Sequence, residues 1–239
     1  MRESIASLKE LRALVFPVLV MHDAYERSLS LAPHLTRLTE LSISLKGSLV
    51  SDLGCLVNLV NLELHVYPEV ACHLNDTLIQ MPYLENVSVR RTAAFDHYNH
   101  KKAVQPKQLS IFGSALRESK RLKSLHLDSV TVNEFFFQEL ASTARLTKLE
   151  FESTEEEVCV QSFVDQIHML EYLEELKLTL GDRGRVCDLL SPQYFPRLSK
   201  LIVPSSPEET ETLRRRFACR PQVLVNRIKI SRWCSQFTT

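Results

Sequence analysis

The sequence has few of the residues that interrupt regular structure, and it has no excess of charge of either sign. Only five glycines and ten prolines occur in 239 residues, so long flexible linkers are not predicted. Lysine plus arginine and aspartate plus glutamate each number 29, which gives a formal net charge of zero. A chain without a basic excess lacks the general field that draws proteins to nucleic acid or anionic membranes. We therefore predict neither kind of partner.

Long apolar runs and closely spaced cysteines are also missing. No stretch approaches the roughly 20 apolar residues that a membrane-spanning helix needs. An apolar run occupies residues 13–21, but Glu3 and Glu10 offset the basic residues before it, which is not typical of a secretory signal. The six cysteines lie far apart without a C-x-x-C pair. We expect buried reduced thiols and a cytoplasmic location.

One pattern recurs along the whole chain, and residues 56–64 show it as L-x-x-L-x-x-L-x-L. We call the third leucine of this pattern the anchor. The nine anchors are Leu14, Leu41, Leu62, Val87, Leu125, Leu149, Leu176, Leu201 and Ile228. Seven of the eight intervals between them are 21 to 27 residues long. Such regular self-similarity is the signature of a repeat protein.

Each anchor is followed two positions later by a second apolar residue. These residues are Phe16, Ile43, Leu64, Val89, Leu127, Phe151, Leu178, Val203 and Ile230. Alternation with a period of two over so few residues predicts a short strand with one buried face. The sequence therefore predicts nine short strands, one in each repeat.

The segments between the predicted strands carry signals for helix starts. Thr154 and Ser206 each begin a capping box, and Pro207 at the first helical position strengthens the second of them. Asn133 is predicted to cap a helix over 134–144, and Asn75 a helix over 76–81. A strand and a helix within about 25 residues require a parallel connection between successive strands.

Two segments carry a specific resemblance: Met-Pro-Tyr-Leu-Glu-Asn-Val at 81–87 and Phe-Pro-Arg-Leu-Ser-Lys-Leu at 195–201. Both are similar to leucine-rich repeats of the F-box type. Over residues 8–231 the chain resembles helix-bearing leucine-rich-repeat proteins such as ribonuclease inhibitor. The resemblance implies an α/β solenoid with a parallel sheet on its concave face and helices on its convex face. It implies one domain over 1–239, with about nine units.

The chain departs from this family in two ways. The family usually has Asn or Cys five residues after the anchor, and here that polar ladder is missing, so we expect a less regular arc. No F-box precedes the first repeat, which begins within about ten residues of Met1. Because an uncapped solenoid end exposes apolar surface, we expect an additional N-terminal module or a partner to cover that end.

The residues one position before each anchor, and one and three positions after it, are predicted to form lateral rows on the concave face, because neighbouring strands lie about 4.8 Å apart. The two rows after the anchors carry most of the candidate contacts. The partner-binding residues predicted in these rows are Glu63, His65, Ser88, Arg90, His126, Asp128, Glu150, Glu152 and Lys177. An acidic cluster of Asp128, Glu150, Glu152 and Glu175 occupies the middle of the face. Some of it is expected to form lateral pairs, such as Glu150 with Lys177. This pattern favours a protein partner with a basic central patch.

The 38-residue interval between Val87 and Leu125 marks an inserted loop near residues 91–108. Long loops in compact repeats are often functional, and we predict that Phe95 and Tyr98 contact the partner. His97 and His100 lie in the same loop, but two imidazoles are a weak metal signal. We predict no metal and no cofactor.

Three functional hypotheses remain at this stage. The leading one is a non-enzymatic protein-interaction module, which the resemblance refines to the substrate-recognition repeat region of an F-box-type ubiquitin ligase receptor. A secreted or surface leucine-rich-repeat recognition protein is the alternative, because Asn75 and Asn86 fit glycosylation sequons. A remote third is a serine hydrolase that uses Ser88, His126 and Glu150 or Asp128, although a regular strand offers no oxyanion hole.

Overall fold

The computed structural model describes residues 10–15, 35–45, 53–66, 71–91, 110–111, 113–116, 118–132, 135–142, 145–153, 165–180, 190–220 and 222–227. The strands are β1 Ala13–Val15, β2 Glu40–Leu45, β3 Asn61–Val66, β4 Asn86–Arg91, β5 Ser110–Ile111, β6 Ser124–Asp128, β7 Thr131–Val132, β8 Lys148–Glu152, β9 Glu175–Thr179, β10 Lys200–Val203 and β11 Leu224–Arg227. The helices are α1 Ala71–Leu78, α2 Phe136–Ala141 and α3 Pro207–Arg216.

Nine of these strands form one parallel sheet in the order β1-β2-β3-β4-β6-β8-β9-β10-β11. Anchors lie opposite anchors from β1 to β10, for example Leu62 opposite Val87 and Leu125 opposite Leu149. The predicted strand at each of these eight anchors is confirmed. Strands follow one another in chain order across the sheet, apart from β5 and β7, which pair separately. This stacking of successive units is the architecture of a leucine-rich-repeat solenoid.

The first two leucines of the pattern build the turn that precedes each strand. In the β3 unit, the Leu59 amide donates to the Leu56 carbonyl at 3.1 Å, which closes a tight turn between two buried side chains. The next two amides, of Val60 and Asn61, both donate to the Thr39 carbonyl of the preceding unit, at 2.8 and 2.9 Å. The same two-donor contact recurs in the units of β2, β4, β6, β8, β9 and β10. The spacing L-x-x-L-x-x-L therefore sets both the turn and the register.

The anchors from Leu14 to Leu201, and the apolar residues two positions after them from Ile43 to Val203, point into one core. Leu125, Leu127 and Phe151 are completely buried. The helices contribute buried side chains to the same core from the other side: Leu74 and Leu78 of α1, Phe136, Phe137 and Leu140 of α2, and Leu213 of α3. The opposite face of the nine-stranded sheet carries no helix among the described elements. We call it the open face, and it corresponds to the predicted concave face.

The last strand differs in register from the prediction. Val225, not Ile228, lies opposite the anchor Leu201, and β11 covers Leu224–Arg227. The strand begins three residues earlier because turns close at Arg220 and Val223, soon after α3, and the Leu224 amide already donates to the Ser199 carbonyl at 2.7 Å. Ile228 and Ile230 lie outside the described residues.

The predicted helix starts have mixed outcomes. The capping box at Ser206 is confirmed, with the Glu209 amide donating to the Ser206 hydroxyl at 3.1 Å and the carboxylate accepting in return. Asn75 lies inside α1 and does not cap it, because Leu74 and Leu78 extend the apolar face toward Ala71. Helix α2 begins at Phe136, two residues after its predicted start, with Phe135 as its N-cap.

Some remaining predictions fall partly or wholly outside the described residues. The capping box at Thr154 and the inserted loop near 91–108, apart from Arg91 at the end of β4, are outside them. After the insertion the chain rejoins the core at Ile111, and Gly113 then approaches α2 so closely that a Cβ there would collide with the Phe136 carbonyl. Cys55 and Cys219 are free thiols, as expected, but both are exposed, so the expectation of burial is wrong for these two.

Within the described part of the chain, no helix combines the length and the apolar content needed to cross a membrane.

Candidate functional site

The two predicted lateral rows exist on the open face. One row runs Glu63, Ser88, His126, Glu150 and Lys177 across β3, β4, β6, β8 and β9, and the other runs His65, Arg90, Asp128 and Glu152. The register of the parallel strands places each residue directly beside the next. Nine of the eleven predicted contact residues therefore come together on one surface. Phe95 and Tyr98 lie outside the described residues.

A groove of about 380 Å³ lies over the N-terminal half of this face. Side chains of β2, β3, β4, β6 and β8 line it: Glu40, Ser42, Asn61, Glu63, Asn86, Ser88, Arg90, Ser124, His126, Lys148 and Glu150. Most of these side chains donate or accept hydrogen bonds. The groove is therefore polar, with buried Leu41, Leu62 and Val87 at its floor.

Glu63 organises the first half of the face. Its carboxylate accepts a hydrogen bond from the Ser42 hydroxyl at 2.9 Å and lies 3.5 Å from both His65 Nε2 and Arg90. The Arg90 Nε in turn lies 3.4 Å from the Ser88 hydroxyl. Because one carboxylate holds groups from three strands, the positions of these side chains are coupled.

Lysines compensate much of the acidic cluster in the second half of the face. Glu150 contacts Lys148 at 2.9 Å and Lys177 at 3.5 Å, and Lys177 also binds Glu152. Partial burial raises the pKa of Glu150, but the hydrogen bond from Lys148 and the surrounding cations outweigh it and hold that pKa below its usual value. Burial similarly lowers the pKa of Lys177, but the contacts with Glu152 and Glu150 leave it raised. The predicted pairing of Glu150 with Lys177 is confirmed.

Asp128 is the member of the acidic cluster that forms no ion pair with the described residues. Its carboxylate accepts a hydrogen bond from the Ser129 hydroxyl at 3.0 Å. It lies opposite Arg90 on one neighbouring strand and Glu152 on the other. Asp128 is thus the carboxylate of this cluster that is best placed to receive a cation from outside.

The geometry at Ser88, His126 and Glu150 does not support nucleophilic catalysis. The Ser88 hydroxyl lies 3.5 Å from His126 Nδ1, and Glu150 lies 4.0 Å from the same nitrogen. A catalytic triad needs the serine and the carboxylate on different ring nitrogens, because one accepts the proton while the other is held by the acid. The other nitrogen, Nε2, is buried and has no hydrogen-bond partner among the residues that the structure describes.

Burial lowers the pKa of His126, and the nearby Arg90 adds to that effect, although Glu150 opposes it. The imidazole is therefore predominantly neutral at neutral pH. A neutral ring with one buried, unpartnered nitrogen acts here as a half-buried packing group between β4 and β8.

One group of side chains could in principle hold a cation. The ligand atoms of His126, Glu150 and Glu152 lie within 4.8 Å of one another. The ammonium group of Lys177 already contacts both carboxylates. A metal ion would have to displace it, and we assign no metal site here.

The row one position before the anchors also lies on the open face, but sequence analysis named no partner-binding residue in it. Lys148 belongs to this row and forms the shortest ion pair of Glu150, and Asn86 donates to Asn61 Oδ1 at 2.6 Å across β3 and β4. The signal was available, because residues two apart on a strand share a face. Lys148 and Glu150 have that spacing.

Comparison with known proteins adds little to the fold derived above. No protein-family model matches the sequence, and no curated protein matches it. Among solved structures, the chain is similar to an internalin of Listeria monocytogenes, with a TM-score of 0.49 and 13% identity over 95% of this chain. The match covers 64% of the internalin chain, so the present chain spans less than two thirds of that protein's length. The fold assignment rests on the turns, the register and the anchors.

Proposed function

We propose that this chain is a non-enzymatic protein-interaction module that binds a partner protein through the open face. The observation that carries the proposal is the pair of registered rows of charged and hydrogen-bonding side chains beside the groove. Their strands are fixed by a core on the other side. A partner would therefore meet donors and acceptors that are already in position, which lowers the entropic cost of association.

The partner proposed for this face carries basic groups at its centre. Glu150 and Glu152 are largely compensated within the chain by Lys148 and Lys177, so the attraction is concentrated at Asp128. Arg90, opposite Asp128 on β4, offers donors to an acceptor of the partner. The inserted loop with Phe95 and Tyr98 remains part of the proposed contact, because it follows β4, which carries Arg90 of this site.

A finer version of the proposal is that the chain is the substrate-recognition region of a cytoplasmic F-box-type ubiquitin ligase receptor. Its support is the F-box-type sequence of two turns, at 81–87 and 195–201. Recovery of ubiquitin ligase subunits with the protein expressed from its own locus tests it. Purifications that contain a partner of the open face but no ligase subunit contradict this finer version and leave the coarser one intact.

The other hypotheses have less support. Asn75 lies inside α1, and the Asn86 amide nitrogen, to which a glycan would be attached, donates to Asn61. The serine hydrolase hypothesis lacks support, because the Ser88 hydroxyl and the Glu150 carboxylate approach the same nitrogen of His126. The interaction module is the function that uses what the open face presents.

The test is a comparison of proteins captured by three forms of the chain. Arg90→Asp with Asp128→Arg exchanges two opposed charges on the open face and leaves the net charge unchanged. Glu211→Arg with Arg215→Glu makes the same exchange on the exposed side of α3, where these residues form an ion pair at 3.3 Å. We expect a protein that is captured by the parent and the α3 variant and is lost from the open-face variant. If everything captured binds the open-face variant equally well, the open face is not the binding site.

A further inference from the structure

A second surface runs along the edge of the sheet from which the strands begin. Tyrosine or arginine occurs four positions before the anchor in five consecutive units of the sheet. These are the units of β4, β6, β8, β9 and β10. These residues are Tyr83, Arg121, Arg145, Tyr172 and Arg197. We call this row the arginine–tyrosine ridge. The repeat geometry places its members side by side, outside the rows of the open face.

The tyrosine rings support the arginine side chains. The guanidinium carbon of Arg121 lies 5.7 Å from the centroid of the Tyr83 ring. Those of Arg145 and Arg197, from the units on either side of Tyr172, lie 5.2 and 4.7 Å from the centroid of its ring. Cation–π contacts of this kind hold the guanidinium over the ring while its N–H groups stay available. All three arginines are exposed.

The arginines of the ridge form no ion pairs within the described part of the chain, although the charge of Arg121 acts on the nearby Glu85 carboxylate. Among the described residues, none forms a salt bridge with Arg121, Arg145 or Arg197, in contrast to the lysines of the open face. Arg121 and Arg145 lie in the turns that precede the adjacent strands β6 and β8, and neighbouring strands are about 4.8 Å apart at the backbone. Like charges this close repel one another, and an anionic ligand would relieve that repulsion.

A small pocket of about 190 Å³ opens beside the ridge. It is lined by Ala141, Leu146, Met169, Leu170, Glu171 and Tyr172. Most small-molecule sites measure roughly 300–1,000 Å³, so this pocket is better matched to one side chain of a partner. Met169, which is 48% exposed, offers apolar surface at its mouth. Tyr172 belongs to both the pocket and the ridge.

We propose that the arginine–tyrosine ridge binds an acidic segment of a protein partner, with one aliphatic side chain in the pocket. Carboxylates match the planar fork of arginine, which binds them with two parallel hydrogen bonds. Arg145 and Arg197 belong to units that are two strands apart, so their backbones are separated by on the order of 10 Å. Each can therefore bind a different acidic side chain of the segment.

A nucleic acid fits this edge less well. Exposed Glu171 and Glu174 lie between the arginines and would repel a continuous phosphate backbone. The formal net charge of the chain is also zero. An acidic peptide can place its charges at the arginines and avoid both glutamates.

The experiment selects peptides from a displayed library of random sequences of about 12 residues. An extended peptide spans roughly 3.3 Å per residue, so this length is more than enough to cover the ridge. Selected peptides are measured against the parent, Arg145→Ala with Arg197→Ala, and Arg214→Ala with Arg215→Ala. The last variant is the control, because it removes the same number of positive charges from the exposed side of α3. We expect enrichment of peptides that combine acidic and aliphatic residues, with binding at least about tenfold weaker to the ridge variant and unchanged to the α3 variant.

Two further variants distinguish the arginine fork from charge alone. Arg145→Lys with Arg197→Lys keeps both charges and should still weaken binding, whereas Tyr172→Phe keeps the ring and should not. Equal binding to the parent and the ridge variant overturns the proposal, as does a selection that yields no acidic peptides. A single-stranded RNA oligonucleotide that binds the parent and is lost from the ridge variant would instead identify a nucleic-acid surface. Because the open face is not altered, these outcomes do not depend on the function proposed above.

Discussion

Leu125 and His126 are neighbours in β6, and their side chains lie on opposite faces of the sheet. Leu125 is completely buried in the core, whereas His126 lies on the open face at the wall of the groove. The contrast follows from the two-residue period of a strand. It gives the fold its most direct mutational test.

We expect Leu125→Asp to lower the free energy of unfolding by more than about 4 kcal/mol, because it removes a buried leucine and places a charge in the core. His126→Ala should cost no more than about 1 kcal/mol, since it removes only a half-buried side chain. Chemical denaturation of both variants provides the measurement. Equal losses would show that the faces of β6 are wrongly assigned.

The stability of the protein should fall as the pH drops below about 6.5, the usual pKa of histidine. Burial lowers the pKa of His126 and of His168, so the unfolded chain binds protons at these sites more readily than the folded chain. The stability associated with the two neutral histidines is fully present above the usual pKa of histidine. It is lost as the pH falls from that value through the lowered pKa of the folded protein. The charged groups that face His126 are Glu150, Arg90, Glu152 and Lys177. The carboxylates of Glu150 and Glu152 raise the pKa of His126 but do not reverse the lowering by burial.

Melting temperatures at about pH 7.5 and about pH 5.5 measure this loss, since both histidines titrate within or below that range. The double variant His126→Gln, His168→Gln should show a smaller difference than the parent. If the two proteins lose stability equally, neither histidine contributes to the pH dependence.

The first eight strands of the sheet could be predicted from the sequence because two independent patterns mark each anchor. Apolar residues, mostly leucine, precede the anchor in the turn, and apolar and other residues alternate after it. The last unit has only the alternating pattern. Val225 and Ile228 are both apolar and three residues apart, and the turn leucines are missing before Val225, where Gln222 takes the place of the usual leucine. Tertiary hydrogen bonds decide that register.

The composition of the open face and the pairing of Glu150 with Lys177 were predictable, but the remaining ion pairs were not. The side-chain conformation decides which further carboxylate a lysine contacts, so the contact of Lys177 with Glu152 could not be assigned from the sequence. The arginine–tyrosine ridge had a sequence signal, since its members share one repeat position. The ridge can be recognised only when the residues four positions before the anchors are compared from one unit to the next.

Ser206→Ala should destabilise the protein by about 1 kcal/mol, because the serine hydroxyl caps the first turn of α3. Thr212→Ala is the matched control. Its hydroxyl donates only to the Glu208 carbonyl at 2.9 Å within the same exposed helix, so its loss should change stability by less than about 0.5 kcal/mol. Thermal unfolding distinguishes the two, and an equal effect would argue against the cap.

Ser88 should not react with a fluorophosphonate probe for serine hydrolases. Its hydroxyl shares His126 Nδ1 with Glu150, so no acid holds the opposite nitrogen and no base is formed. Labelling of the parent, of Ser88→Ala and of His126→Ala, followed by mass spectrometry, provides the measurement. Modification that requires both Ser88 and His126 would revive the hydrolase hypothesis.

The most direct test of the central claim is carboxylate labelling of the protein, free and in complex with a partner captured as described above. A carbodiimide with an amine reports the accessibility of each acidic side chain by mass spectrometry. We expect Asp128 and Glu63 to be protected in the complex, while Glu211 on α3 is labelled equally in both states. Protection of Glu211 with unchanged labelling of Asp128 and Glu63 would contradict binding through the open face.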